Sequence, residues 1–238
     1  MLSEQQIARY SRQIILHPVG GKGQQKLLSG SAAIVGGGNM AATAALYLAA
    51  AGIGNVTLAG SNGIDPSDLG TLNPDCHVML SSISLDVPGA EEITRRHDFI
   101  IAAGADADTV VSLNLACVRL RKPLVWGSAC GSIGRMAVLA GGQPGTPCYG
   151  CLQRCLDEHR ADAASTQPSG AVAGAVAAFV GTLQATAVIK LILGLETCTP
   201  ARLLTCDALA AVVRDANVVK DPCCEICGTV RPGRARKS

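Results

Sequence analysis

The chain has 238 residues, of which 48% are hydrophobic and 16% charged, with a formal net charge of +2. This length suits one α/β domain of ordinary size, and the apolar content predicts a large core. Aromatic residues make up only 3% of the chain, which argues against a base-stacking platform for single-stranded nucleic acid. The small net charge argues against a protein that binds phosphate backbones. We therefore expect no nucleic-acid partner.

The two ends of the chain and its cysteines indicate where the protein resides. Residues 1–10 are polar and helix-like and lack the apolar stretch of a secretory signal. Eleven cysteines behind such an N-terminus favour free thiols and metal ligands in a reducing compartment. We expect a cytoplasmic protein. Residues 229–238 contain three arginines and one lysine and predict a basic, flexible tail.

In chain order, the first predicted elements belong to an N-terminal helical arm at 1–30 and to a βαβ unit. The arm contains helices at 4–14 and near 23–28, separated by a loop. A buried strand at 31–35, a glycine turn at 36–41, an Ala-rich helix to about residue 51 and a strand at 56–59 follow. This order is typical of a right-handed crossover in a doubly wound, Rossmann-like α/β sheet.

Later strands and helices continue the α/β pattern in a less regular second half. Strands are predicted at 76–80, 98–102, 124–127 and 132–140 and near 203–206, with helices at 89–96, 108–121 and 171–194. The segment 171–194 is apolar enough to raise the question of a membrane span. Because it contains Gln184 and Lys190 and is rich in alanine and glycine, we interpret it as a buried helix and expect no membrane partner. We expect a single domain over 1–228.

Two matched cysteine pairs carry the strongest chemical signal in the sequence. Cys148 and Cys151 enclose two residues, as do Cys224 and Cys227 far downstream. This spacing lets both sulfurs of a pair turn toward one point, and four thiolates form the tetrahedral set that zinc prefers. Such a site is structural, because it leaves no open position for water. The alternatives are a pair of disulfides or a thioredoxin-like redox motif, although redox motifs rarely occur as matched distant pairs.

The glycine turn after the first strand is a candidate phosphate site. Gly36 and Gly38 can bring backbone N–H groups and a helix dipole to a phosphate, and Ala41 can serve as the third small residue of a dinucleotide motif. That motif also expects an acidic residue at the end of the second strand, where this chain has Gly60. Asp65 lies only in the following loop. The missing acid disfavours a nicotinamide oxidoreductase.

Seven segments of the chain also resemble one known family. They are 9–16 (RYSRQIIL), the turn at Gly36 with 45–54, 72–74 (LNP), 122–127 (KPLVWG), 147–151 (PCYGC), 181–190 (GTLQATAVIK) and 221–227 (DPCCEIC). Together they resemble the ThiF/MoeB/HesA family of activating enzymes for ubiquitin-like proteins and sulfur carriers. The resemblance covers nearly the whole chain in the right order. It implies a dimer that adenylates the C-terminal glycine of a small β-grasp protein with MgATP, often with a structural zinc at the four cysteines.

The resemblance also identifies family residues that this chain lacks. The ribose-binding Asp of the family falls on Gly60. The two carboxylates of its Asp-x-x-Asp-Asn segment, the second of which binds magnesium, fall on Ala102 and Ala105. Asp106 and Asp108 lie close by and are candidate substitutes as metal ligands.

A second group of differences follows the second strand and the middle of the chain. Asp68 takes the place of a family asparagine, and the stretch that carries two cations is missing between Leu69 and Leu72. The cysteine that some members use for thioester or persulfide chemistry falls near Thr166.

Arg12 is the one family charge that remains. It matches an arginine that, in the family, reaches across the dimer into the ATP site of the partner and acts there in trans. A surface ion pair on an N-terminal helix explains Arg12 equally well.

Once a nicotinamide oxidoreductase is set aside, two hypotheses about function remain. The first is a non-catalytic member that docks a ubiquitin-like sulfur carrier and forms a homodimer, or a heterodimer with an active paralogue. The second is an active ATP-dependent adenylyltransferase with a rebuilt site. Loss of one oxyanion-type contact costs about 3–4 kcal/mol of barrier, and here two cations, a metal ligand and a ribose ligand are missing together. The sequence therefore favours the first hypothesis, with structural zinc and with ATP and magnesium binding weak or lost.

Overall fold

The computed structural model describes residues 1–60, 65–158, 171–195 and 201–228. The strands in this part of the chain are β1 (Ser31–Gly36), β2 (Asn55–Ala59), β3 (His77–Ser81), β4 (Phe99–Ala103), β5 (Leu124–Cys130), β6 (Ile133–Leu139), β7 (Arg202–Asp207) and β8 (Val212–Asn217). The helices are α1 (Glu4–Arg9), α2 (Ser11–Ile14), α3 (Gly20–Ser29), α4 (Gly38–Ala51), α5 (Pro66–Leu72), α6 (Val87–Arg96), α7 (Ala107–Leu120), α8 (Tyr149–Glu158) and α9 (Gly174–Leu193).

The strands form one eight-stranded sheet in the order β3-β2-β1-β4-β5-β6-β7-β8. Strands β1 to β5 pair in parallel, whereas β6, β7 and β8 are added in antiparallel fashion. The Rossmann-like α/β prediction is confirmed, and the irregular second half is the antiparallel part of the sheet. Because the parallel strands end at one edge, the glycine turn after β1 and the ends of β2 and β4 meet there.

Helices cover both faces of the sheet, and the side chains of β1 alternate between them. Ala32 and Ile34 belong to the core cluster that contains residues of α4 and α9. Ala33 and Val35 belong to the cluster that contains residues of α6, α7 and α8. This period of two is what a buried central strand with helices on both sides requires.

Helix α9 is the apolar segment that raised the question of a membrane span. It is long and apolar enough to cross a membrane by length and composition. It packs against α4, β5 and β6, and Val180 and Val188 on it are fully buried. Gly181 permits the close crossing, since a Cβ at this position would lie 2.3 Å from the carbonyl oxygen of Met40. These contacts support the interpretation of α9 as a core helix.

The prediction of one continuous helix at 4–14 is wrong. The chain divides at Tyr10 into α1 and α2. The side chain of Tyr10 is almost completely buried, and the backbone turns there so that the phenol ring reaches the end of α4. Three further elements, α5, α8 and β8, were not predicted from the sequence.

Candidate functional site

The glycine turn lies where β1 meets α4, as the sequence predicts. Gly36 has a φ of 128°, and a Cβ at this position would lie 2.2 Å from the carbonyl oxygen of Ala103, so only glycine fits. The N–H of Gly37 donates to the same carbonyl at 3.1 Å. No atom lies within 4 Å of a Cβ built on Gly38. Ala41 is fully buried against the sheet, as close packing of this helix requires.

The backbone that follows β2 lies against the glycine turn. Gly60 has a φ of 106°, and a Cβ at this position would lie only 2.8 Å from the carbonyl oxygen of Gly36. Asp65, the nearest carboxylate in sequence, is the N-cap of α5 and accepts the N–H of Ser67 at 2.8 Å. Hydrogen bonds from the backbone and hydroxyl of Ser67 lower the pKa of Asp65. Asp65 is therefore engaged as the cap of α5.

The two carboxylates next to β4 do not form a metal site with other described residues. Asp106 is the N-cap of α7, and its two oxygens accept the N–H of Thr109 at 2.9 Å and its hydroxyl at 2.8 Å. These hydrogen bonds lower the pKa of Asp106. Asp108 is exposed in the first turn of α7. Across the described ranges, the only group of three or more possible metal ligands is the four-cysteine cluster.

Arg12 and Asp68 are both on the surface. Arg12 lies on α2 with an exposed side chain and forms no ion pair with any residue that the structure describes. The surface ion pair that offered an alternative explanation for Arg12 is therefore not found in that part of the chain. Asp68 is exposed in the first turn of α5. Thr166 and the basic tail at 229–238 lie outside the described residues.

A partly buried polar network, which sequence reasoning missed, joins two of the family-like segments. The hydroxyl of Tyr10 donates to Asp75 at 2.9 Å and accepts the side-chain N–H of Asn73 at 2.9 Å. Asn73 also donates to the carbonyl of Ala49 at 2.7 Å, and Arg9 forms an ion pair with Asp75. We call Arg9, Tyr10, Asn73 and Asp75 the Tyr10 latch. It ties the N-terminal arm to the connection between α5 and β3.

The four cysteines lie together, as predicted. The first pair flanks the start of α8, and the second pair lies in the turns that follow β8. The sulfurs of Cys148 and Cys224 are 3.7 Å apart and those of Cys151 and Cys227 are 3.5 Å apart. All four lie within 4.8 Å of one another. A tetrahedron of zinc–sulfur bonds of about 2.3 Å requires sulfurs about 3.8 Å apart, so the donor set fits zinc.

Backbone N–H groups and burial act on the sulfurs of the cluster. The N–H of Asp221 donates to the sulfur of Cys151 at 3.4 Å, and Arg154 forms an ion pair with the Asp221 carboxylate. Burial raises the pKa of the Cys148 thiol, so a nearby cation is needed to hold it as a thiolate at neutral pH. Although burial opposes it, backbone N–H groups of Cys227 and Ile226 lower the pKa of Cys224.

The first cysteine pair is connected to the core of the sheet. Asn114 on α7 is buried and accepts the N–H of Tyr149 at 2.9 Å, which fixes the start of α8. The ring of Tyr149 contacts that of Trp126 on β5, with centroids 5.8 Å apart. Trp126 is the single tryptophan of the chain, so its fluorescence reports on the cysteine cluster.

Comparison with known proteins gives a consistent result. The ThiF family model matches residues 10–72 and 68–226. The protein named Adenylyltransferase and sulfurtransferase MOCS3 from Drosophila persimilis is 34% identical over 250 residues, covering 95% of this chain and 54% of that protein. The protein of the same name from Anopheles gambiae is 33% identical, with 95% and 56% covered. The chain thus spans about half the length of these relatives.

Solved structures share the fold at lower identity. The crystal structure of E. coli MccB with ATP has a TM-score of 0.72 and 20% identity, covering 92% of this chain and 74% of that chain. The crystal structure of PaaA has a TM-score of 0.72 and 17% identity, covering 92% and 84%. At this identity the likeness shows the fold alone.

Proposed function

Since the chain belongs to the ThiF family, we propose that it is a cytoplasmic scaffold that docks a ubiquitin-like sulfur carrier. On its own it is non-catalytic, and it pairs with itself or with an active paralogue. The adenylyltransferase in the names of its relatives supports a place in the activation of such a carrier. The alternative is an active adenylyltransferase with a rebuilt site.

The close approach of Gly60 to Gly36 is the main observation that supports a protein without catalytic activity of its own. The family resemblance implies a ribose-binding Asp at position 60, yet a Cβ built there meets the carbonyl of Gly36 at 2.8 Å. The nearby carboxylates of Asp65 and Asp106 are engaged as helix caps. At these described positions neither a ribose-binding acid nor the magnesium ligand implied by the family resemblance is present, which supports weak or absent nucleotide binding.

The cysteine cluster supports a structural metal. Cys148, Cys151, Cys224 and Cys227 would hold one zinc ion, which would keep the segment after β8 against α8. With four sulfur donors and no open position, zinc there contributes to folding and not to a reaction.

An apolar pocket supports docking of a partner protein. A pocket of about 230 Å³ lies between α9 and the β7–β8 hairpin and is lined by Val176, Phe179 and Val213 among others. Phe179 and Val213 are both exposed, and β8 is a free edge of the sheet in the described structure. An apolar anchor from a β-grasp carrier fits such a pocket beside a strand edge. Phe179→Asp should weaken carrier binding, whereas Val87→Asp on α6 should not.

The outer face of α4 supports pairing of two subunits. Leu46 and Tyr47 are exposed large hydrophobic residues on this helix, which packs beside α9. A second subunit on this face would cover both side chains.

ATP–pyrophosphate exchange with candidate carriers, measured for the protein alone and mixed with an active paralogue, tests the proposal. We expect no exchange by the protein alone and carrier-dependent exchange in the mixture. Micromolar MgATP affinity by calorimetry, with exchange by the protein alone, would support the rebuilt-site alternative instead.

A further inference from the structure

Strand β3 presents an unprotected edge of the sheet. It pairs with β2 in an unbroken register, and no strand of the described structure pairs with its other side. Met79 and Leu80, which point to opposite faces, are 53% and 62% exposed. Natural edge strands are protected by proline, lysine or a bulge, and His77–Ser81 contains none of them. A regular apolar edge of this kind offers unpaired backbone N–H and C=O groups to a partner strand.

Both faces beside this edge have room for the side chains of a partner. A groove of about 580 Å³ lies between β3 and α6 and is lined by Met79, Ser81 and Ile93 among others. On the other face, a groove of about 640 Å³ lies between β3 and α5 and is lined by Ser67 and Val78 among others. The side chains of an added strand alternate between the two faces, so each groove would receive every second one.

We propose that β3 pairs in antiparallel fashion with β3 of a second copy of this chain, about a two-fold axis at Met79. In this register Met79 lies opposite its own counterpart, Val78 lies opposite Leu80, and His77 lies opposite Ser81. The apolar residues therefore meet at the centre and the polar residues meet at the ends. The strand contains no acidic residue, lysine or arginine, so no two formal like charges face each other.

The self-complementary order of the strand is what identifies a second copy as the occupant. An isologous interface requires that each residue fit its symmetry mate, and His77–Ser81 meets this condition without an insertion or a register shift. The pairing would join two eight-stranded sheets into one. It differs from the subunit pairing proposed above, because Leu46 and Tyr47 of α4 line neither groove.

Sedimentation across the micromolar range, on the full chain with its metal, tests this pairing. Met79→Lys places two like charges on the two-fold axis and should weaken self-association by about tenfold or more. Because Met79 is half exposed, the thermal midpoint should hardly change. The matched control is Leu209→Lys, a change of the same kind at an exposed leucine in the β7–β8 turn. It should leave self-association unchanged.

A charge swap makes the test specific for the two-fold register. Met79→Glu alone should also weaken association, whereas an equimolar mixture of Met79→Lys and Met79→Glu should restore it, since position 79 faces itself. Self-association that Met79→Lys leaves unchanged would overturn the proposal, as would a mixture no more associated than its components. Because variants are compared with one another, the result holds whether or not the α4 face also pairs. If Met79→Lys fails to fold, Met79→Glu against wild type gives the same test.

Discussion

At the scale of single residues, backbone conformation decides what position 60 can hold. Gly60 has a φ of 106° and lies against the backbone of Gly36. Gly60→Asp should therefore lower the free energy of unfolding by about 1–3 kcal/mol and should not create nucleotide binding. Urea denaturation and calorimetry with MgATP measure the two effects. Gly70→Asp, where a Cβ meets nothing within 4 Å, is the matched control. A stable Gly60→Asp variant that binds MgATP would contradict this view of the site.

The cysteine cluster gives a second prediction at this scale. Cys151→Ser should abolish binding of one zinc ion per chain and destabilise the segment after β8, at a cost of several kcal/mol. Metal analysis after chelator-free purification measures the zinc, and the fluorescence of Trp126 reports the loss of contact with Tyr149. Cys223→Ser, beside the second pair but outside the cluster, should change neither. Wild-type protein without zinc would refute the assignment of the metal.

At the scale of elements, the end of α6 depends on a neutral histidine. The ring of His97 contacts the carbonyl of Ile93 at 2.8 Å and the hydroxyl of Thr57 at 2.7 Å. The carbonyl can only accept, so Nδ1 carries the proton and Nε2 accepts from Thr57. Burial lowers the pKa of His97. Between the lowered folded pKa and the unfolded value of about 6.5, the unfolded chain binds more protons.

Stability should therefore fall as pH drops below about 6.5, by about 1.4 kcal/mol for each unit by which folding lowers the pKa of His97. His97→Gln should remove this part of the pH dependence, whereas His77→Gln at an exposed position should retain it. Urea unfolding at neutral and mildly acidic pH measures the difference between the two variants. Equal slopes for both would show that His97 is not the titrating group.

The Tyr10 latch gives a prediction about how the N-terminal arm is held. Tyr10→Phe removes one hydroxyl that serves both Asn73 and Asp75. It should cost about 1–3 kcal/mol, because buried polar groups lose a partner. Tyr47→Phe on the exposed face of α4 is the matched control and should cost almost nothing. Proteolysis of the arm at 1–30 should become faster only in the Tyr10 variant.

At this scale the sequence predicted the parallel half of the sheet well and the remainder only partly. The strand that ends at Gly36 and the helix after it have strong local signals, since a buried apolar run and a glycine turn need no distant contact. Three elements lacked such signals. Helix α5 contains Pro66 and Gly70, α8 begins within the cysteine motif, and β8 is almost entirely exposed. The direction of the strands after β5 depends on which strands pair with one another. Local sequence does not contain this information.

The candidate site was predictable in the same uneven way. The spacing within each cysteine pair defines a local geometry, and the match between the two pairs predicted that they share one metal site. The capping of α7 by Asp106 was not foreseen, although a short polar side chain before a helix is a common N-cap. The division of the first helix at Tyr10 depends on contacts with Asn73 and Asp75, more than sixty positions away, and no local pattern contains them.

At the scale of the whole molecule, a substitution of Arg12 should distinguish the proposed pairing of subunits from catalytic activity. Its side chain is exposed and has no ion pair in the described part of the chain, so Arg12→Ala should leave the protein folded and associated to the same degree. In a mixed dimer with an active paralogue, the same change should lower activity by a large factor, since a charge that faces phosphates acts chiefly in the transition state. Sedimentation and pyrophosphate exchange measure the two effects. Full activity of the mixed Arg12→Ala dimer would dismiss the trans arginine.

The Tyr10 latch also explains which family residues such a protein can retain during evolution. Two of the segments that relate this chain to its family, at 9–16 and 72–74, contain residues whose contacts hold the N-terminal arm in place. Selection for folding alone would preserve Tyr10 and Asn73, whether or not a lineage kept its nucleotide chemistry. A descendant can therefore lose its catalytic residues and still match the family in sequence, because the residues shared at these positions stabilise the fold.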